Sequence, residues 1–564
     1  MPADDQDENF KLRRVTMKKI DQAKFYRQAE RFIDRFMEED PVTATQLGDH
    51  RFDDRLADYS KAALERQLRE IKDALKEFES FDTASFDVDA RIDHHLMVQV
   101  AKSALRGFEK FKDHLRNPGK YCEECIGGVF LLLIKEFAPL EERLEKALGR
   151  LRAIPEVLAR GKENISPQEV PPVWNEVALE SLQQGLALFT VLIPALAQQT
   201  PKLATDLNSA SQRAVQALED YARFLREVVA AKAQGDFAVG KELFEELVRE
   251  NHMLDYGTEE LLETGWRLFE ETEKAMEDMA QRIDRQTTAR ALLEVAKANH
   301  PKADELLDVY RGEMARARQF VATRDIVTIP EGESLKIEPT PPFLWAIIPY
   351  AAYMMPGPLE KMQQGVFLVT PVDPQSSKKE QEEKLKGHHY AKLPVTALHE
   401  AYPGHHLQLV YANGVGSLPR KLGGFISTLF IEGWAFYCEE LMEQLGYIDK
   451  PLQRLGRLSD QLWRAARIIL DISLHTGKMT VEEGIDFLVE RVGLERSNAR
   501  AEVRRYTASP TQPMSYLIGK MEILKLIDEY KKRHPQASLK EVHDAVLSCG
   551  SLPPRLMRER LFGS

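Results

Sequence analysis

The sequence predicts a mainly α fold: a large multi-helical protein with one small β element placed just before its most histidine-dense segment. Three observations predict it. Apolar residues recur at spacings of three and four through most of the chain, as in Leu64, Leu68, Ile71, Leu75 and Phe78. Short β-like runs are confined to residues 326–370, among a cluster of prolines. Helical periodicity then returns and continues to about residue 548. With 564 residues, 43% of them hydrophobic and 29% charged, the chain has the make-up of a globular protein able to form more than one core.

Taken in order, residues 1–16 read as a flexible tail rich in charge, and helical spacing begins at Met17 and runs to Met37. Residues 37–59, with Asp40-Pro41 and Leu47-Gly48, read as a structured connection. Helices are expected over Ala62–Phe81, Phe86–Phe111 and Leu140–Leu158. After Pro167, Pro171 and Pro172 another run starts at Val173, followed by Ser211–Ala233, Leu243–Glu250 and one long charged helix over Thr258–Ala296. Gly235–Lys241 approaches a phosphate-binding loop, but the next residue is Glu242 where a hydroxyl is needed, and no strand precedes it. Nucleotide binding is therefore rejected, and Gly240 is read as a turn before a helix.

Near Ile326 the character changes. Ile326–Ile329, Ser334–Ile337 and Val366–Thr370 read as short strands, the last as an edge strand on which an extended peptide could lie. Pro339, Pro341, Pro342, Pro349, Pro356 and Pro358 fall between them, and Gln375–Leu385 reads as a polar loop or lid. His388 and His389 are expected to be exposed in a loop. Helices follow over Gly423–Leu445, Pro451–Thr476, Thr480–Val492, Ser497–Tyr506, Ser515–Arg533 and Ser538–Ser548. Regions 17–325 and 326–564 are thus expected to be a helical part and a part carrying the chemistry.

Several function classes are disfavoured. A net charge of −12 argues against nucleic acid and anionic membrane partners. The longest apolar runs, Val129–Ile134 and Leu186–Ile193, are far shorter than the roughly 20 residues of a membrane span. Four cysteines give no disulfide framework, and Cys122 and Cys125 read as two reduced thiols near a helix start. An acidic N-terminus without an apolar core segment gives a cytoplasmic expectation.

The chemistry is concentrated in Leu398-His399-Glu400-Ala401-Tyr402-Pro403-Gly404-His405-His406-Leu407-Gln408. Histidine followed by glutamate, with another histidine nearby, is the sequence form of a zinc hydrolase helix: two imidazoles hold the ion and the glutamate acts as general base. The usual second ligand sits four residues on, where this chain has Pro403. On an ideal helix neither His405 nor His406 reaches a shared ion with His399. Pro403 forbids an ideal helix, however, and Gly404 tolerates unusual backbone angles. A two-residue bulge would restore the geometry for His405, which is the expected ligand, with His406 as the alternative and otherwise a supporting residue. The third ligand of a one-zinc site is expected from Glu432, a carboxylate in the apolar run Phe425, Ile426, Leu429, Phe430, Ile431, Trp434 and Phe436. Glu439, seven residues later on the same face, could orient a histidine.

Together with Arg505-Tyr506, Pro510, Gln512, Ser515-Tyr516 and Gly519, and with Pro41, Leu47-Gly48, Asp58-Tyr59-Ser60 and Asp471 … Leu474-His475, these motifs make the chain resemble the bacterial "domain of unknown function 885" family from about residue 25 to 540. That family is grouped with gluzincin-type zinc peptidases. The resemblance implies a deep-cleft architecture similar to thimet oligopeptidase and angiotensin-converting enzyme, with region 17–325 forming one wall. One departure lies at Thr511 and Pro513, where the family more often has Gly and Ala, so substrate contacts in that loop transfer less directly.

The expected function is hydrolysis of peptide bonds, with short peptides implied by the resemblance and by a narrow cleft. Glu400 is the expected base; Tyr516, Tyr506 or His475 would stabilise the oxyanion. Asp471, four residues before His475, could fix its tautomer. Arg505 could clamp a substrate carboxylate with Tyr506 beside it. Two rivals remain: hydrolysis of a non-peptide amide or ester by the same apparatus, and a helical binding protein with a metal-free relic of the site.

Overall fold

Helices do form where apolar spacing and end signals coincide, and the start signals are those expected. Asp40, Ser60, Asp87, Asn117 and Thr288 each accept a backbone N–H from the first turn of the helix that follows. Ser377, Thr480 and Ser538 form reciprocal capping boxes with Glu380, Glu483 and Glu541. The computed structural model describes residues 4–341, 345, 348, 350–423 and 426–563, with side chains described from Ile20 onward. Pro342, Pro349 and Phe425, named above, lie outside the described residues.

The fold is mainly helical with a single three-stranded sheet among the described residues. The first helix spans Asp4–Glu39, and so begins inside the segment expected as a tail. It packs with helices Lys61–Glu79 and Val88–Arg106 around Phe25, Phe78, Phe86 and Met97. Helices Pro118–Ile134, Leu140–Asn164, Pro172–Ala187 and Ala204–Phe224 enclose a second core. Cys122 and Cys125 are buried in it as free thiols. A third core lies between helices Thr258–Ile283 and Pro451–His475, where Gly265 lets the backbone approach Ile468 and Ile469. The fourth, around Leu398, Trp434 and Phe367, carries the histidine motif. The third and fourth cores both draw on residues from either side of position 325.

The helical run Pro172–Gln199 has the length and apolarity of a membrane span, which the shorter count of uninterrupted apolar residues did not bring out. One side of it, including Leu182, Phe189, Leu192 and Ile193, is buried in the second core.

The sheet departs from expectation in its order. β1 (Ser334–Pro339) and β2 (Ala351–Met354) flank β3 (Gln364–Val369), pairing with it parallel and antiparallel respectively. The strand expected at an edge is therefore central, and both of its ladder faces are used. Its burial accounts for this: Phe367, Leu368 and Val369 are all buried, as in a strand covered on both faces. Ile326–Ile329 is not a strand; Ile326 and Val327 enter the core while Asp544 takes the Thr328 N–H and hydroxyl. Gln375–Leu385 is no loop but largely helix, Lys378–Lys386, started by the Ser377 capping box. The long helix expected over Thr258–Ala296 is two, Thr258–Ile283 and Ala289–Lys297, because Thr288 caps a new start.

Helices Leu429–Gln444 and Ser515–Arg533 approach each other backbone to backbone. A Cβ on Gly519 would lie 2.0 Å from the Leu429 carbonyl, and one on Gly433 2.4 Å from the Gly519 carbonyl carbon. Gly433 follows Glu432, and Gly519 lies one turn after Tyr516, so this contact sets Glu432 and Tyr516 side by side. We expect Gly519→Ala to destabilise the protein by roughly 1–3 kcal/mol through overpacking. Gly312→Ala, on an exposed helix face with nothing within 4 Å, should raise stability by up to ~1 kcal/mol. Urea or thermal denaturation of both variants checks this; equal effects would contradict it.

Candidate metal centre

The motif helix Leu393–Glu400 stops at Glu400, and a second helix starts at His405. Between them the chain makes a tight displaced turn with a cis Tyr402–Pro403 peptide. Gly404 N–H bonds to the Leu398 carbonyl at 3.1 Å and Leu407 N–H to the Ala401 carbonyl at 3.3 Å. Each bond spans six residues instead of the four of an α-helix, so the turn carries two extra residues. Gly404 is required: a Cβ there would lie 1.9 Å from the His399 carbonyl oxygen.

The facing helix, Leu429–Gln444, holds this turn at several points. Trp434 Nε1–H donates to the Pro403 carbonyl at 2.8 Å, with Cys438 Sγ 3.7 Å from the same oxygen. Glu439 Oε1 is 2.7 Å from His399 Nδ1, which directs the other ring nitrogen away from this helix position. Glu432 Oε2 is 3.3 Å from His405 Nε2. The His399 and His405 rings stand 4.7 Å apart and nearly perpendicular, at 88°. Ligand atoms of His399, His405 and Glu432 all lie within 4.8 Å of one another. Burial opposes the charge on Glu432, yet His405, His399 and Tyr516 together hold its pKa down at about 2. Burial likewise opposes a charged His405, and Glu432, Glu400 and Glu439 outweigh it and raise its pKa.

Two imidazoles and a carboxylate are a donor set suited to a zinc ion with an open position. The fit rests on two further features. His399 already has its Nδ1 engaged by a carboxylate, and the buried His405 Nδ1 and Glu439 Oε2 have no hydrogen-bond partner among the described residues. Glu400 is half-buried at the end of the motif helix, where its charge is felt by His405, Tyr310 and Tyr353.

His406 turns the other way. Its Nε2 donates to Glu333 at 2.9 Å and its Nδ1 takes the Tyr353 hydroxyl at 3.0 Å. Glu333 is also bonded by the Tyr402 hydroxyl and paired with Arg318, and these partners lower its pKa against the effect of burial. His406 thus ties the turn to the sheet. Glu333 and Tyr353 were not foreseen, and no local pattern marks either of them.

Tyr516 lies beside Glu432 and the Arg467 guanidinium, with Arg464 and Arg505 near enough to oppose the rise that burial gives its pKa. Tyr506 is fully buried; its hydroxyl donates to Glu502 at 2.7 Å and accepts from Arg467 Nε at 2.9 Å. Arg505 is exposed and bonds Glu502 and Gln512 at 3.0 Å each.

His475 does not join the cluster. It is fully buried beside Phe237 and Phe244, its Nε2 donating to the Tyr506 carbonyl, and burial pushes its pKa down to about 4. Asp471 does not fix its tautomer: the two stand 4.0 Å apart. Asp471 instead accepts the Thr511 and Met514 N–H groups at 3.1 Å each, fixing the loop that leads to Tyr516. That loop holds Thr511 at φ +70°, with His252 bridging its hydroxyl to Ser427. His388 and His389 are buried, not exposed; His388 meets the Tyr310 hydroxyl at 3.0 Å, and burial pushes both pKa values down to about 4.

Arg464 and Arg467 were missed, although the signal that singled out Glu432 applies to them. Both are charges in the strongly apolar stretch Ala465–Leu474 or at its edge, within a helix buried along most of its length.

The fold and the cluster define a mainly helical protein with a candidate His/His/Glu metal centre on crossing helices. The chain belongs to the family described as "Bacterial protein of unknown function (DUF885)", whose model matches residues 41–561. It is similar to "a putative lipoprotein of unknown function" from Shewanella oneidensis, with 25% identity, a TM-score of 0.78, and 95% of this chain and 98% of that one covered. It also has the fold of a "putative lipoprotein" from Colwellia psychrerythraea, at 18% identity, a TM-score of 0.81, and 96% and 98% coverage. No curated protein matches the chain.

For a zinc ion held by these three donors, removing the Glu439 contact is expected to weaken binding without removing a ligand. Glu439→Gln should lower affinity roughly 10- to 100-fold. Competition with a zinc chelator checks this, and unchanged affinity would show that the His399–Glu439 contact does not support the site.

Proposed function

We propose that the protein is a zinc metallopeptidase of gluzincin type, with His399, His405 and Glu432 as ligands and Glu400 as general base. The observation that carries the reading is the convergence of these three donors within 4.8 Å, with Glu400 directly beside His399 in the chain. Zinc held there would polarise a scissile carbonyl and lower the pKa of a water to about 7. In this reading Glu400 would take the proton from the attacking water and return it to the leaving amine. The Tyr516 hydroxyl, which lies beside Glu432, would in this reading donate to the oxygen on which negative charge develops. Glu439 holds the His399 ring, and His406 keeps the turn registered on the sheet.

The short-peptide preference rests on the family resemblance. A cavity of about 940 Å³ is lined in part by His389, Lys392, Trp463 and Glu502, and by none of His399, Glu400, His405, Glu432 and Tyr516. In this reading the architecture is the deep cleft of thimet oligopeptidase and angiotensin-converting enzyme, with the N-terminal helices as one wall. A cytoplasmic location belongs to the same proposal; two relatives are described as lipoproteins, and cell fractionation decides between the compartments.

Glu400→Gln should keep stoichiometric zinc and lose roughly 10²-fold or more in turnover of a peptide library. Near-wild-type turnover would remove Glu400 from its role, and wild-type protein that binds zinc but cuts esters or non-peptide amides only would replace the substrate class. His405→Ala should lose zinc while His406→Ala largely retains it. The reverse pattern in metal analysis would show that the ligand histidine has been misassigned.

A further inference from the structure

Helix Pro451–His475 presents three buried donors that no acceptor among the described residues satisfies: Trp463 Nε1, Arg464 Nε and Arg467 Nη1. They lie at i, i+1 and i+4 of one helix, and the two guanidinium groups approach the Tyr516 ring. The Arg467 guanidinium is sandwiched between the Trp463 and Tyr516 rings, 4.5 Å from each centroid. That of Arg464 is 4.8 Å from Trp463 and 5.6 Å from Tyr516. Only 5% of the Arg467 side chain is exposed, so it is not solvated in place of a partner. Buried donors are normally paired, and three together without acceptors indicate a ligand.

The charges around them point the same way. Asp460 is shared by Lys392 at 2.7 Å and Arg464 at 3.2 Å. Glu502 is shared by Arg467 at 2.9 Å and Arg505 at 3.0 Å. Four cations thus share these two carboxylates, so neither Arg464 nor Arg467 has a carboxylate to itself. A planar carboxylate suits the donors, since a guanidinium fork binds one in its own plane while its faces remain stacked on aromatic rings.

We propose that Trp463, Arg464 and Arg467 form a subsite for a substrate carboxylate carried close to the scissile bond. This rests on the peptidase reading above. Tyr516 separates the subsite from Glu432 by one side chain, and a peptide advances only ~3.3–3.6 Å per residue. The carboxylate therefore belongs to a residue within one or two of the scissile bond. It is either the chain's own C-terminus, which makes the enzyme a carboxypeptidase or dipeptidyl carboxypeptidase, or an acidic side chain.

Binding is read by calorimetry on the zinc-loaded Glu400→Gln protein, using acetyl-Ala-Ala-Ala as free acid, as amide, and as an amide with Asp in the last position. The free acid should bind roughly 10- to 100-fold more tightly than the plain amide. Recovery of affinity by the Asp-containing amide would assign the subsite to an acidic side chain; its failure to recover would assign it to the C-terminus. Arg467→Met should abolish the discrimination, and Trp463→Phe, which keeps the ring and removes one donor, should reduce it. Equal affinity of all three peptides, or full discrimination retained in a folded Arg467→Met or Trp463→Phe protein, overturns the subsite. Wild-type turnover separates the two claims. If acid and amide are cut at equal rates, the subsite fails and the peptidase reading stands; if the acid is bound selectively and nothing is cut, the peptidase reading fails and the subsite stands.

Discussion

The hydrogen bond from Trp434 Nε1 to the Pro403 carbonyl is the point on which the site's geometry depends. Pro403 occupies the position where a helical histidine pair would place its second ring, so the motif must depart from the helix to work at all. A departure leaves carbonyls without intrahelical partners, and a buried carbonyl needs one. Trp434 supplies it from the same helix that carries Glu432 and Glu439. The displaced turn and the carboxylates are therefore positioned by one rigid element, and Glu432 and Glu439, two turns apart on one face, meet His405 and His399 respectively.

A second rigid contact fixes the other side. Helices Leu429–Gln444 and Ser515–Arg533 touch backbone to backbone at Gly433 and Gly519, which brings Tyr516 against Glu432. Behind Tyr516 stands the layer of Trp463, Arg464 and Arg467, tied to Glu502 and Tyr506. The site thus has two electrostatic ends: carboxylates around the imidazole pair, and guanidinium groups beyond the phenol. The proposed chemistry would use both ends, the first to activate water and the second to hold a substrate carboxylate.

Much of this was legible in the sequence, and the reasons differ by element. The helices around residues 451–476 and 515–533 were read to within a residue or so because period and end signals agree there. The two-residue displacement before His405 followed from proline and glycine chemistry together with the need for a second histidine at helical spacing and the Gly-His placement of related helical peptidases. Glu432 followed from the cost of an unpaired carboxylate in an apolar run. What was not legible depends on partners distant in sequence. β3 reads equally well as an edge or a central strand from its apolar run, because pairing order is a tertiary property. His388 and His389 read as exposed because polar neighbours in sequence do not report their burial or the packing of Tyr310 against His388. Asp471 and His475 have the spacing of a helical pair, yet each is claimed by a backbone group of another segment. Glu333 lies in a turn with no flanking pattern, and only the fold brings it to His406.

The central claim is that His399, His405 and Glu432 hold one zinc ion while His406 serves the scaffold. Anomalous diffraction at the zinc edge, from crystals of the full chain prepared with one equivalent of zinc, tests this most directly. The account predicts a single strong peak ligated by His399, His405 and Glu432, with the His406–Glu333 contact intact beside it. A peak ligated by His406 and Glu333, or no ordered peak at the histidine motif in zinc-equilibrated protein, would contradict it.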